Sequence, residues 1–93
     1  MTTWDETKRR SNLAKHGVDL ALADHFDFEN ARYEEDWERE GEHRFRAIGW
    51  IGRRLYFLVY TVRNDEAHAI SLRLADKKEK RRYFKTLSTP DRL

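Results

Sequence analysis

One run of residues does most to limit the folds open to this chain. Leu55–Val62 is a near-continuous apolar stretch, rich in aromatic and β-branched side chains, set between Gly52-Arg53 and Arg63-Asn64-Asp65-Glu66. A run of that kind suits a central strand, and the turn signals at its two ends call for a hairpin partner on each side. The partners are Arg44–Trp50 before it and a third strand at about Ala67–Leu74 after it. In the third strand Ile70, Leu72 and Leu74 share one face while Ser71 and Arg73 share the other.

The remaining elements follow from caps and periodicity. Residues 1–4 suit a short strand, Asp5 is placed to N-cap a helix running to about His16, and Gly17 ends it. Val18, Leu22 and Phe26, at i, i+4 and i+8, predict a second helix from about Val18 or Asp19 to Phe26. The acidic stretch from Asp27 to Glu42, with Tyr33 and Trp37 as its main apolar residues, reads as a long connection or an exposed edge strand. A C-terminal helix starts near Asp76 and runs to about Leu87. The expected order is β-α-α-β-β-β-α, an α+β domain with N-terminal helices packed on an antiparallel sheet and a C-terminal helix. The 93 residues leave room for one domain, 1–93, with a flexible tail over 88–93.

Charge narrows the function classes. Residues 17–43 are net −8 and the rest of the chain is net +10, although the whole is only +2. If the basic segments fold onto one face, with the acidic stretch elsewhere, they suit a polyanion such as nucleic acid. The absence of cysteine excludes disulfides and thiolate metal sites. His16, His25, His43 and His68 show no paired ligand spacing, so neither a structural metal nor a cofactor is expected. No apolar run approaches the roughly 18 residues of a membrane span, and a soluble, cytoplasmic protein with no membrane contact is expected.

On the first helix Lys8, Asn12, Lys15 and His16 fall within about a 100° arc. That stripe either presents two ammonium groups, an amide and an imidazole to a phosphate, or is a solvated face with His16 settling a helix C-terminus. Arg44, Arg46, Arg63 and Arg73 are strand arginines, whose planar forks bind phosphate oxygens in pairs. Arg73 stands within an otherwise apolar strand, which favours function. Arg44 and Arg46 are equally readable as plain surface, and Arg53 and Arg54 as a soluble hairpin tip or peripheral RNA contacts. Lys77, Lys78, Lys80, Arg81, Arg82 and Lys85 cover more than one face of the last helix, so a solvated surface comes first for any one of them. Tyr83 either pairs with Glu79 or joins the core. His25, His43 and His68 have no evident partner and read as structural or exposed. Trp4 and Trp50 read as core, and Trp37 as a possible contact for a partner chain.

Taken in order, Trp4-Asp5, Lys8, Asn12, Lys15-His16-Gly17-Val18, Arg44-Phe45-Arg46-Ala47-Ile48-Gly49, Val59-Tyr60-Thr61-Val62-Arg63 and Ile70-Ser71-Leu72-Arg73-Leu74-Ala75, with Glu79 and Tyr83, form a pattern. It resembles the BrnT family of bacterial toxins over about residues 4–84. Leu72 departs from that pattern, standing where the family usually has Ala. The resemblance implies a RelE-like fold and a metal-independent endoribonuclease that inhibits translation. It also implies a type II toxin–antitoxin operon whose antitoxin, BrnA, covers the toxin and binds operator DNA, so that DNA is met only through the antitoxin. The residues then take roles. Arg44, Arg63 and Arg73 neutralise the phosphate with help from Lys15, and His16 or Tyr83 moves protons. Lys8, Asn12, Arg46, Ser71 and Lys77 join Lys15 in holding RNA. The rival is a non-catalytic nucleic-acid-binding or antitoxin-binding module on the same scaffold.

Overall fold

Strand β5 (Arg54–Arg63) lies at the centre of the sheet in the structure, a computed structural model that describes residues 1–88. Beyond Ser88, the tail expected over 88–93 lies outside the described residues. Antiparallel neighbours flank β5, with β4 (Glu42–Ile51) on one side and β6 (Glu66–Leu74) on the other. The short strand β1 (Thr3–Trp4) adds to the outer edge of β6 in parallel, and β2 (Arg32–Tyr33) and β3 (Trp37–Arg39) pair with β4. The sheet is therefore mixed rather than wholly antiparallel. Of the two readings of the acidic stretch, the edge strand forms.

Each of the three hairpins turns in two residues. Gly52 carries the positive φ of 59° that a II′ turn requires at its first position. Asn64 and Asp65 both take positive φ, 53° and 63°, as an I′ turn demands. The β3–β4 turn does the same at Glu40 and Gly41, with φ of 52° and 78°.

Helix α1 (Glu6–His16) starts where Asp5 accepts from the Thr7 N–H at 2.8 Å, and it ends where Gly17, at φ 69°, donates to the Leu13 carbonyl at 2.9 Å. The second helix forms as a 3₁₀ turn, Leu20–His25, instead of an α-helix. Six residues must carry the chain from the Asp19 cap down to Phe26 on the sheet, and the tighter winding suits so short a connector. Helix α2 (Lys77–Ser88) opens with a reciprocal cap, the Glu79 N–H donating to Asp76 and the Asp76 N–H to Glu79, both at 2.8 Å.

Apolar residues fill both sides of the sheet. Under α1 and the 3₁₀ turn, Val18, Leu20, Ala23 and Phe26 pack on Ala47, Leu58, Tyr60, Ala69 and Leu72. Under α2, Ile48, Leu55, Ala75 and Tyr83 form a smaller cluster flanked by Trp50 and Phe57. Gly49 is where the first layer comes closest to the strands, since a Cβ there would stand 2.6 Å from the Phe26 ring tip.

Two findings change the sequence reading. A bulge places Ser71 opposite Val59 but Ala69 opposite Tyr60, so Ile70 is an extra residue and the strict alternation through Ile70, Leu72 and Leu74 breaks. The core on that side takes Ala69 and Leu72 instead. Secondly, the acidic stretch does not lie apart from the basic segments. Glu34 accepts from Arg82 at 2.6 Å and from Arg32 at 2.9 Å, and Glu42 accepts from Arg63 at 3.0 Å. Pairing β2 and β3 with β4 sets these carboxylates beside the arginines of the sheet and α2.

Candidate functional site

Register fixes which strand residues share a face. Arg46, Val59 and Ser71 stand opposite one another across β4, β5 and β6, and Ile48, Phe57 and Arg73 form the next row. Helix α2 covers the Ile48 end of this face. Beyond it lie the side chains of Arg46 and Ser71, and further along those of Arg63 and His68.

The first-helix stripe meets this face at the edge of β6. Lys8, Ser11, Lys15 and His16 line a groove of about 190 Å³ with Ile70 and Ser71. The bulge that displaces Ile70 is what brings it to the groove wall. Asn12 is also there, but buried, with both amide hydrogens committed to the carbonyls of Leu72 at 2.7 Å and Val18 at 2.9 Å. Its oxygen accepts from the Leu72 N–H at 3.0 Å. Asn12 thus spends its amide on backbone.

The arginines are placed but not free. Arg73 lies 4.5 Å over the Phe57 ring and makes a two-point bridge to the buried Glu79, at 2.9 and 2.7 Å. That hydrogen bonding raises the guanidinium pKa against the opposing effect of burial. Arg63 donates to Glu42, and Arg44 stands 3.8 Å from the same carboxylate. The Arg63 hydrogen bond holds Glu42 below the usual carboxylate range, with burial opposing and Arg44 and His68 adding to the effect. The Nε–H of Arg44 is buried without an acceptor among the described residues. Arg46 sits 4.5 Å over the Trp37 ring and donates to the Glu35 carbonyl at 3.2 Å, so Trp37 packs within the chain.

Besides these four strand arginines, which do not line the groove, two residues named from sequence stand away from it on α2. Tyr83 is 2 % exposed, packed at the edge of Trp50, and its hydroxyl donates to the Asn30 carbonyl at 3.0 Å. Lys77 is exposed on the first turn of α2.

His68, which reads from the sequence as structural or exposed with no evident partner, has a partner in the structure. Its Nδ1 lies 2.8 Å from the Thr3 hydroxyl, across the β1–β6 pairing that matches these two residues. Burial lowers its pKa and Arg63 lowers it further, Glu42 and Asp5 oppose them, and Lys8 adds the smallest lowering effect. No local signal announces this, because Thr3 is 65 positions away in the chain.

A second groove, of about 530 Å³, lies by the β4–β5 turn between Trp50, Leu55, Leu74 and Phe84, with Arg53, Arg54 and Lys80 at its walls. It brings cations and apolar surface together but no imidazole or hydroxyl. Among the described residues no helix is long and apolar enough to cross a membrane.

Fold and site together define a small α+β domain with a groove lined by two lysines, two serines and an imidazole at the edge of its sheet. Residues 4–79 match the family described as the ribonuclease toxin, BrnT, of type II toxin–antitoxin systems, and the chain belongs to that family. The crystal structure of the Brucella abortus ribonuclease toxin BrnT is similar to it, with 30% identity, a TM-score of 0.62, and coverage of 83% of this chain and 99% of the Brucella chain. No curated protein matches.

Proposed function

We propose that this protein is a metal-independent endoribonuclease that stops translation by cleaving RNA, on a fold grouped with the RelE-like ribonucleases. Its antitoxin is a BrnA-like protein of the same operon that covers the toxin in the cytoplasm and alone contacts operator DNA. The observation that carries the reading is the meeting of Lys8, Lys15, His16 and Ser71 in one groove, with Ser71 on the sheet face that also bears Arg46 and Arg73.

In the proposed reaction the ribose 2′-oxygen loses its proton to a protein base and bonds to the adjacent phosphorus. The bond to the 5′-oxygen breaks, leaving a 2′,3′-cyclic phosphate and a 5′-hydroxyl. Negative charge grows on the phosphoryl oxygens, and fixed cations aimed at it lower the barrier. Arg63 and Arg44, which share Glu42, supply that charge, while Arg73, opposite Phe57 and so six residues from Arg63 along β5, meets a neighbouring phosphate, and Lys15 and Lys8 hold the neighbouring backbone with Arg46 and Ser71. Each arginine must share its carboxylate partner with the phosphate, or give it up, so RNA has to displace Glu79 and Glu42. His16 is the imidazole of the groove and contacts the RNA held there, whereas Tyr83 takes a packing role.

Purified protein incubated with RNA in excess chelator tests this directly. Fragments ending in cyclic phosphate and beginning in 5′-hydroxyl are expected. Bound but intact RNA supports the non-catalytic reading instead.

A further inference from the structure

We infer that His68 is the base that takes the 2′-hydroxyl proton, and that Thr3 is the positioning residue that orients its ring. The inference rests on the proposed ribonuclease reading and names a group within it. Three observations lead here.

First, His68 occupies the cationic face. On β6 it is three residues before Ser71, and the extra residue at the bulge lets both side chains serve the same face. Arg63, a cation assigned to the phosphate, acts on its ring more strongly than any other charge.

Second, the hydrogen bond to Thr3 holds the ring by Nδ1. When Nδ1–H donates to the Thr3 hydroxyl oxygen, the lone pair stands on Nε2, as a proton acceptor requires. Strand β1 is itself pinned, since the Thr2 N–H donates to Asp24 at 2.9 Å. The hydroxyl that orients His68 therefore comes from an anchored edge strand.

Third, the surroundings of the ring favour the base form, burial most of all. Arg63 on β5 adds to burial, Glu42 on β4 and Asp5 at the start of α1 oppose it, and Lys8 on α1 makes the smallest contribution, on the side of Arg63. The net effect is a pKa below the ordinary 6.5, so the ring is a neutral base at neutral pH. His16 lies two helical turns beyond Lys8, about 12 Å along the axis. One reacting phosphate is not served by both ends of that span, and Arg63 is at the His68 end.

The step balances within these groups. The 2′-oxygen gives its proton to Nε2 as the O–P bond forms, the P–O5′ bond breaks, and the departing oxygen takes a proton from solvent. His68 then returns its proton to water.

The test is a pH–rate profile for cleavage of a short RNA by the full chain, with imidazole nitrogen shifts followed by NMR. For the wild type, kcat/KM should rise tenfold per pH unit in acid and level off below pH 6.5, with the His68 ring titrating at the same pH. His68→Gln should lose about 100-fold or more in rate, and lose the acid limb, while keeping RNA affinity. Thr3→Val, which keeps the imidazole and the side-chain shape, should shift both the limb and the NMR titration together. A His68→Gln enzyme with wild-type rate and limb overturns the inference while leaving the ribonuclease reading intact. If His68→Gln does not fold, a Thr3→Val limb unmoved from wild type overturns it equally. A wild-type protein that cleaves no RNA refutes the underlying ribonuclease reading first.

Discussion

The side-chain amide of Asn12 pairs with both the N–H and the C=O of Leu72, at 3.0 and 2.7 Å. Beyond the two residues that β1 covers, the outer edge of β6 would otherwise present bare peptide groups. Asn12 extends the sheet by the equivalent of one peptide unit, and it is the only buried residue of α1. The helix that carries Lys8, Lys15 and His16 is therefore docked through an amide, not through a broad apolar face.

Replacing that amide should loosen the whole stripe. Asn12→Leu leaves the Leu72 N–H and C=O unpaired and should cost about 2 kcal/mol in urea unfolding. Asn12→Asp, which loses both donors, should cost a similar amount. Variants within about 0.5 kcal/mol of wild type, the scatter of surface changes, contradict this docking role.

Gly49 sets the spacing between Phe26 and the sheet. Gly49→Ala should destabilise by about 1–3 kcal/mol through overpacking, and adding Phe26→Leu should recover part of that. Unfolding of the two single variants and the double variant checks it, and strictly additive losses would speak against the contact.

Acid unfolding should report the Arg9–Asp19 clamp. Asp19 is held down to about 2 by the Arg9 hydrogen bond and the Ala21 N–H. A carboxylate with a depressed folded pKa stabilises fully above its unfolded value, near 3.8, and that contribution is lost as pH falls through about 2. The melting-temperature gap between wild type and Asp19→Asn should be constant above pH 5 and close as pH falls through about 2. A gap independent of pH excludes the clamp as its cause.

The elements that the sequence disclosed are those with local signatures. Asp5 and Gly17 bracket α1 within one helix length, and the β5 run with its glycine and Asn-Asp turns marks both long hairpins. The β3–β4 hairpin was hidden because its turn places Glu40, a residue with no preference for left-handed backbone, at φ 52°. The carboxylate–guanidinium pairs were hidden for another reason, since Glu34 and Arg82 are 48 positions apart and meet only when β2 joins the sheet. The same distance effect separates Thr3 from His68. For the candidate site, spacing along one helix revealed the stripe, but the bulge that brings Ile70 and Ser71 to it is a property of strand pairing.

Glu79 should act as a brake on RNA binding. Glu79→Gln keeps an oxygen for the Asp76 N–H yet removes the charge that neutralises Arg73. RNA affinity should rise, and the slope of log Kd against log salt should steepen by about 0.7, one more phosphate contact on a single strand. An unchanged slope indicates that Arg73 does not reach the backbone.

The most direct test of the account is the RNA cleavage rate of the full chain carrying Arg63→Ala with Arg73→Ala, compared with wild type in excess chelator, with folding of both checked by thermal melting. A folded double variant that has lost at least about 100-fold in rate is the predicted result, in line with the loss of fixed charge at a transition state. A folded double variant that cleaves as fast as wild type contradicts it.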